Sequence, residues 1–174
     1  LGEGDGLAGL LETVLGETDV PWIRLLYLHP AHISDRLISL VAGRDRILNY
    51  MDIPIQHISD RMLGIMRRSH GREETIAILR RLRDEIPGSV IRTTLIAGHP
   101  GETEEDFEEL KQFIRDFRFD RLGVFSYSHE EGTHSYIDFT DDVPEDIKQS
   151  RVSELMEIQQ EISAELNRKY TGQE

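Results

Sequence analysis

The sequence predicts an α/β protein built on a parallel sheet. Three observations lead there: short apolar runs alternate with amphipathic segments, the runs are near-continuous, and the segments joining them are long enough to be helices. Helical crossovers bring the chain back in the same direction, so successive strands lie parallel with right-handed connections. Runs such as "LLYL" and "LIAG" suit strands covered on both faces. A doubly wound sheet and a partial (β/α) barrel of the TIM type both satisfy this, and periodicity does not choose between them.

The chain opens with "LGEGDGLAGLLETVLGE", a Gly-rich lead-in and one helix with no strand before it, as if starting mid-unit. "PWIRLLYLHP" reads as the first strand, running through Leu28. "SDRLISLVAG" follows as a helix, with Ser34 as N-cap, Leu37, Ile38 and Val41 inward, and Gly43 as the stop. "ILNYMDIPIQH" is the second strand, and Ser59 just beyond it can start a helix. The short "SDRMLGIMRR" turns Met62, Leu63 and Met66 inward. "REETIAILRRLRDEI" does the same with Ile76, Leu79, Leu82 and Ile86, and Pro87-Gly88 closes it. The unit repeats as "SVIRTTLIAG" and "TEEDFEELKQFIRDF". Here Thr103 and Asp106 resemble a capping box, and Phe107, Leu110, Ile114 and Phe117 form the buried stripe. "DRLGVFSYS" is the fourth strand. A long helix is predicted from "DDVPEDIKQSRVSELMEIQQEISAELNRKY", with Pro144 in its first turn. Its stripe of Ile147, Val152, Leu155, Ile158, Ile162 and Leu166 packs on the domain.

With 174 residues and 38% hydrophobic content, the chain can bury one core. Its 33 acidic against 20 basic residues give a net charge of -13, spread along the chain, which excludes general binding to nucleic-acid backbones. No apolar run approaches the roughly 20 residues of a membrane span, and no cationic leader is visible. A soluble, cytoplasmic protein is expected. Zero cysteines exclude disulfides, thiolate catalysis and cysteine-ligated metal within these residues.

In parallel α/β folds, ligands bind at the carboxyl ends of the strands. His29, Gln56-His57, His99 and Tyr127-Ser128-His129 follow the four predicted strands. Read alone, four histidines on one rim admit a histidine-ligated, metal-dependent hydrolase. Against it, no carboxylate stands clearly as a bridging ligand, and no metal site is expected. "AGHPGETEEDF" places Gly98 and Gly101 around Pro100 between a strand and a helix start. A phosphate loop fits poorly, because Glu102, Glu104 and Glu105 crowd the helix start and no Walker-type Lys is present. A tight turn against a flat, uncharged group such as a nucleobase fits better.

Together, "YMDIPIQHISDRMLGIMRRSHGR", "IRTTLIAGHPGETEEDF" and "DRLGVFSYSHEEGT" resemble the second half of the barrel of the radical S-adenosylmethionine (SAM) methylthiotransferases. The nearest branch is the one that modifies an aspartate of small ribosomal subunit protein twelve. The related tRNA methylthiotransferases usually read "PxQSG" where this chain has "PIQHIS". The resemblance covers roughly residues 20 to 170 and implies two regions, 1–142 as the second half of a radical SAM barrel and 143–174 as a helix leading toward a TRAM domain. It implies SAM as cofactor and two 4Fe-4S clusters, ligated by cysteines outside this chain, so these residues alone should not catalyse. In such enzymes a 5′-deoxyadenosyl radical abstracts hydrogen from an unactivated carbon, which then receives a methylthio group.

Carried over residue by residue, the resemblance makes Gln56 a polar contact to SAM and Arg68, twelve residues later, the partner of its carboxylate. Ile96 matches a residue whose backbone meets the adenine, and Tyr127 lies where the last strand can cover that ring. Thr94 stands where related enzymes may hold an aspartate for the ribose. His57, Glu130 and Glu131 are expected on the substrate side, where an acidic surface would steer a basic ribosomal protein.

Overall fold

Among the described residues, four strands and seven helices form in the order the periodicity predicts, with one addition. The computed structural model describes residues 6–168 and 171–172. The lead-in at 1–5 and the positions 169–170 and 173–174 lie outside the described residues. The elements are α1 (Gly6–Glu17), β1 (Ile23–Leu25), α2 (Asp35–Ala42), β2 (Ile47–Asp52), α3 (Asp60–Ile65) and α4 (Arg72–Glu85). They continue with β3 (Val90–Ala97), α5 (Glu104–Phe117), β4 (Arg121–Ser126), α6 (His134–Asp138) and α7 (Glu145–Asn167). The strands form one parallel sheet in the order β1-β2-β3-β4. The added element is α6. Its N-cap, Thr133, accepts from Tyr136 N at 3.2 Å, a signal present in the sequence but too short to carry periodicity.

Caps set the helix starts as expected. Ser34 accepts from Leu37 N and Ser59 from Met62 N, and Thr103 and Asp106 close a reciprocal box at the start of α5. Pro144 stands at the N-cap of α7, just before its first turn. β1 is shorter than predicted, ending at Leu25. The chain then turns through Tyr27 at φ 58° and enters a 3-10 turn at Pro30–His32.

One face of the sheet carries the core. Along β3, Ile91, Thr93, Leu95 and Ala97 are buried while Arg92, Thr94 and Ile96 take the alternate face. The buried set joins Leu37 and Ile38 of α2, Leu79 and Leu82 of α4, Phe107, Leu110 and Ile114 of α5, and Leu155, Ile158 and Ile162 of α7. The other face differs from the two-sided covering read from the sequence. It holds an Arg92–Asp52 ion pair at 2.6 Å, Arg24 over the Tyr50 ring, and the exposed Leu26 and Phe125. Met66 and Ile147 also depart from their predicted stripes: Met66 caps α3 and borders a cleft, and Ile147 is exposed.

Candidate functional site

Pro54 has no N–H, so the ladder of β2 cannot run unbroken past Asp52. The chain detours and rejoins β3 at Gln56, whose N–H donates to Thr94 O at 3.0 Å and whose carbonyl accepts from Ile96 N at 2.9 Å. Thr93 Oγ1 donates to Ile53 O at 2.8 Å and stitches the detour from below. Gln56 itself sits at φ 68°, a conformation non-glycine residues rarely hold. Like a bulge at a strand end, the detour re-aims one side chain, and strain of this kind concentrates at functional sites.

Arg68 is placed by the end of α3. Arg67 N donates to Gly64 O at 3.0 Å and Arg68 N to Leu63 O at 2.9 Å, with Arg67 left-handed at φ 52°. This is a Schellman stop, with a non-glycine at the left-handed position. It throws Arg68 back toward the strand ends, while Met62 and Leu63 anchor the helix. Arg67 turns outward and meets Asp138 of α6 at 3.3 Å.

A cleft of about 260 Å³ opens between these two features, lined by Gln56, Met66, Arg68, Ile96, His99 and Tyr127 on one side. Ser128, Glu130, Thr133 and Ser135 complete it. Larger hollows lie elsewhere, beside the end of α1, beside β1 and at the starts of strands, but none gathers residues from the carboxyl ends of several strands. Four of the five predicted SAM residues therefore share one cleft. Thr94 does not line it. It lies two residues below Ile96 on the same face of β3, and its carbonyl holds Gln56. The Ile96 N–H is committed to Gln56, so Ile96 offers the cleft its side chain, an apolar floor.

The cleft holds one cation and one acid, Arg68 and Glu130, and no ion pair joins them. Arg68 is half-buried, its pKa lowered by burial, and among the described residues no acid or carbonyl takes its guanidinium. Burial lowers the His99 pKa and favours its neutral form. Its Nδ1 lies 3.0 Å from Pro100 O and donates to it, and in the neutral ring Nε2 then accepts from Ser135 Oγ at 2.8 Å. Its ring packs edge-on against Tyr127, whose hydroxyl pairs with His129 Nδ1 at 2.9 Å. Burial raises the Tyr127 pKa, keeping the phenol neutral.

The predicted substrate-side residues separate. Glu130 lines the cleft and Glu131 is exposed outside it. His57 does not reach the cleft: it is fully buried, its Nδ1 accepts from Ser59 N at 3.0 Å, and its Nε2 faces Glu102 at 3.6 Å. Sequence reasoning missed Met66, Thr133 and Ser135. Only Thr133 carried a signal, as a helix cap.

The four strand-end histidines do not converge on one point. Among the described residues, no three His, Cys, Asp or Glu side chains are arranged to hold a metal ion. With no cysteine in the sequence, these residues do not fit an iron–sulfur cluster. They do fit a ligand with an anionic end and a flat apolar part, since an unanswered guanidinium stands beside Ile96 and the Tyr127 ring.

Comparison with known proteins decides the family. The Radical SAM superfamily profile matches residues 7–114. This chain belongs to the radical SAM superfamily. Among curated relatives, it is 51% identical over 168 residues to the ribosomal protein uS12 methylthiotransferase RimO of Bacteroides thetaiotaomicron, covering 97% of this chain and 38% of that protein. It is 49% identical to the protein of the same name from Parabacteroides distasonis, over 96% of this chain and 39% of the relative. The chain thus spans under two fifths of the length of the curated relatives it matches. Among solved structures, the coproporphyrinogen III oxidase HemN of Escherichia coli, described as a radical SAM enzyme, superposes with a TM-score of 0.71 at 20% identity. That match covers 88% of this chain and 36% of HemN. Elp3 of Methanocaldococcus infernus superposes at 0.59 with 21% identity, over 79% of this chain and 32% of Elp3. These likenesses establish the fold, so the four-stranded sheet is the partial TIM-type barrel of the superfamily. Among the described residues no helix is long and apolar enough to cross a membrane.

Proposed function

We propose that this chain is the SAM-binding part of a methylthiotransferase that modifies an aspartate of ribosomal protein uS12. The reading rests on about half-identity across nearly the whole chain to proteins of that name. The observation that carries it at the site is Arg68, a half-buried cation with no acceptor among the described residues, in a chain of net charge -13.

Within this reading, Arg68 receives the carboxylate of SAM and Gln56 hydrogen-bonds it from the detour after β2. Ile96 floors the adenine, Tyr127 covers it, and Thr94 acts indirectly by holding Gln56. Bound SAM, given an electron by an iron–sulfur cluster, would supply hydrogen abstraction at an unactivated carbon, and a second SAM the methyl group of the transferred methylthio. The residues of this chain bind, orient and exclude water. Glu130 stands on the wall nearest solvent, where it can meet a basic protein substrate, and the chain's negative charge steers such a partner. The two clusters, and the cysteines that hold them, belong to other parts of the full-length protein.

The test uses that full-length, cluster-loaded protein. A hydrogen bond to a charged group contributes about 1.5 to 3 kcal/mol, so Arg68→Ala is expected to weaken SAM binding by about 10- to 150-fold. Fold and cluster content should persist, and Arg67→Ala should bind SAM normally. Equal behaviour of the two variants in calorimetric titration would reduce Arg68 to a surface charge.

A further inference from the structure

The open face of the sheet continues below the cleft. Stepping away from the cleft along β3, that face presents Ile96, Thr94 and Arg92, and the parallel register sets Phe125, Gly123 and Arg121 of β4 beside them. Ile96 belongs to the cleft, and its neighbour Phe125 is exposed. In the next row, Gly123 stands in mid-strand, where glycine weakens a sheet and often marks a close approach by something else. Apart from its chain neighbours, a Cβ placed there would come within 4 Å of a single atom among the described residues, Arg92 Nη2 at 3.9 Å. The space over Gly123 is therefore open. The Arg92 guanidinium reaches up to the row of Thr94 and Gly123, one row of about 7 Å below Ile96.

Arg92 is held at one arm and free at the other. Its Nη1 donates to Asp52 Oδ1 at 2.6 Å, and the other oxygen of that buried carboxylate accepts from Tyr27 N at 3.3 Å. Nη2 has no acceptor among the described residues, and the side chain is 34% exposed on the open face. A guanidinium fork fixed at one nitrogen presents the other in a set direction, and its natural complement is a carboxylate. A nucleic-acid phosphate is the wrong occupant in a chain of net charge -13. We infer that Arg92 selects the residue to be modified: its free Nη2 receives the carboxylate of the substrate's aspartate, whose side chain enters over Gly123, between Thr94 and Phe125, with its β-carbon toward the cleft. The inference rests on the reading of the cleft as the SAM site and names the group that reads the substrate's charge.

The experiment uses calorimetry on the full-length, cluster-loaded protein saturated with S-adenosylhomocysteine. It compares binding of purified uS12 with binding of uS12 whose target aspartate is replaced by asparagine. The parent should bind the aspartate form about tenfold or more tightly, as expected for a hydrogen bond to a charged group. Gly123→Val suits a strand, fills the open space and leaves the Arg92–Asp52 pair in place, so it should erase that preference. Arg92→Lys should erase it too, because its single ammonium is taken by Asp52 and no second arm remains. Both variants should bind S-adenosylhomocysteine within about twofold of the parent. A preference for aspartate that survives in either variant would overturn the inference, and so would equal losses of S-adenosylhomocysteine and uS12, which would make Arg92 a brace for Asp52. If Arg68→Ala weakens S-adenosylhomocysteine while the preference persists in those variants, the inference alone fails. If Arg68→Ala binds S-adenosylhomocysteine normally, the reading of the cleft fails and the inference with it.

Discussion

Two arginines, Arg68 at the cleft and Arg151 on α7, show how this fold treats charge. Arg151 is buried and answered: its Nη1 donates to Glu102 Oε1 at 2.7 Å and its Nη2 to Glu104 at 3.3 Å. Both oxygens of Glu102 also accept from Gly98 N, at 3.0 and 3.1 Å, and His57 faces the same carboxylate. Beside it, Lys148 packs so closely that a Cβ at Gly98, where φ is +76°, would lie 2.4 Å from its Cγ. This buried lattice clamps α7 under the turn that carries His99. Arg68 is half-buried and has no ion-pair or hydrogen-bond partner among the described residues. Folding answers the charges of this clamp and leaves Arg68 unanswered beside the cleft, and the proposed binding role rests on that contrast.

The largest effect should come from breaking the clamp. Removing one partner of a buried ion pair strands the other charge and costs about 3 to 5 kcal/mol. Arg151→Ala should therefore lower amide protection in α7 and the 98–102 turn by about two to three orders of magnitude in native-state hydrogen exchange. Replacing both partners, with Arg151→Met and Glu102→Gln together, should cost less than the sum of the singles, because neither charge is then stranded. Unchanged protection in Arg151→Ala would erase the contrast between the two arginines.

How much of this was legible in the sequence follows from the same contrast. Strand order, the caps at Ser34, Ser59 and Thr103, and the gathering of Gln56, Arg68, Ile96 and Tyr127 could be read, because periodicity and family motifs encode them. The clamp could not. Lys148, Arg151 and Gln159 are buried on α7, yet they interrupt an apolar stripe and look like solvated positions until their partners are known. His57 was misplaced for the same reason, since alternation along a strand does not foresee the detour at Pro54 that turns it under Glu102. The left-handed Gln56 and Arg67 leave no trace in composition, because neither is glycine.

A smaller, pH-dependent effect belongs to a second brace on the clamp's side of the comparison. Asp106 accepts from Ser59 Oγ at 2.6 Å and from Thr103 N at 3.0 Å, and pairs with Arg61, joining the starts of α3 and α5. Burial opposes its ionisation, but the hydrogen bonds from Arg61, Ser59 and Thr103 prevail and hold its pKa well below the usual carboxylate range. A group whose folded pKa is depressed stabilises the fold at any pH above its unfolded value. That contribution fades as pH falls through the ordinary carboxylate range toward the folded value. Thermal unfolding of Asp106→Asn should therefore show a deficit that is full at neutral pH and shrinks on acidification below about 4, near the unfolded pKa. A deficit independent of pH would assign Asp106 to packing alone.

The smallest expected change in stability is at Arg68 itself, and there its sign matters more than its size. Because no acceptor meets this guanidinium, its partial burial costs desolvation without return, and burial is the sole cause of its lowered pKa. Arg68→Met keeps the aliphatic stem against the cleft wall and removes the charge. In the absence of SAM, its melting temperature should equal or slightly exceed that of the parent, with a difference within about 0.5 kcal/mol. With SAM added, the order should reverse, because a ligand that binds the folded state stabilises it in proportion to its affinity, and the variant has lost most of that affinity. The crossing of the two melting series on ligand addition is what a residue held for binding at the expense of stability must show. If Arg68→Met were destabilised without ligand as Arg151→Ala is, Arg68 would be another structural brace, and the two arginines would differ only in how well their partners are hidden.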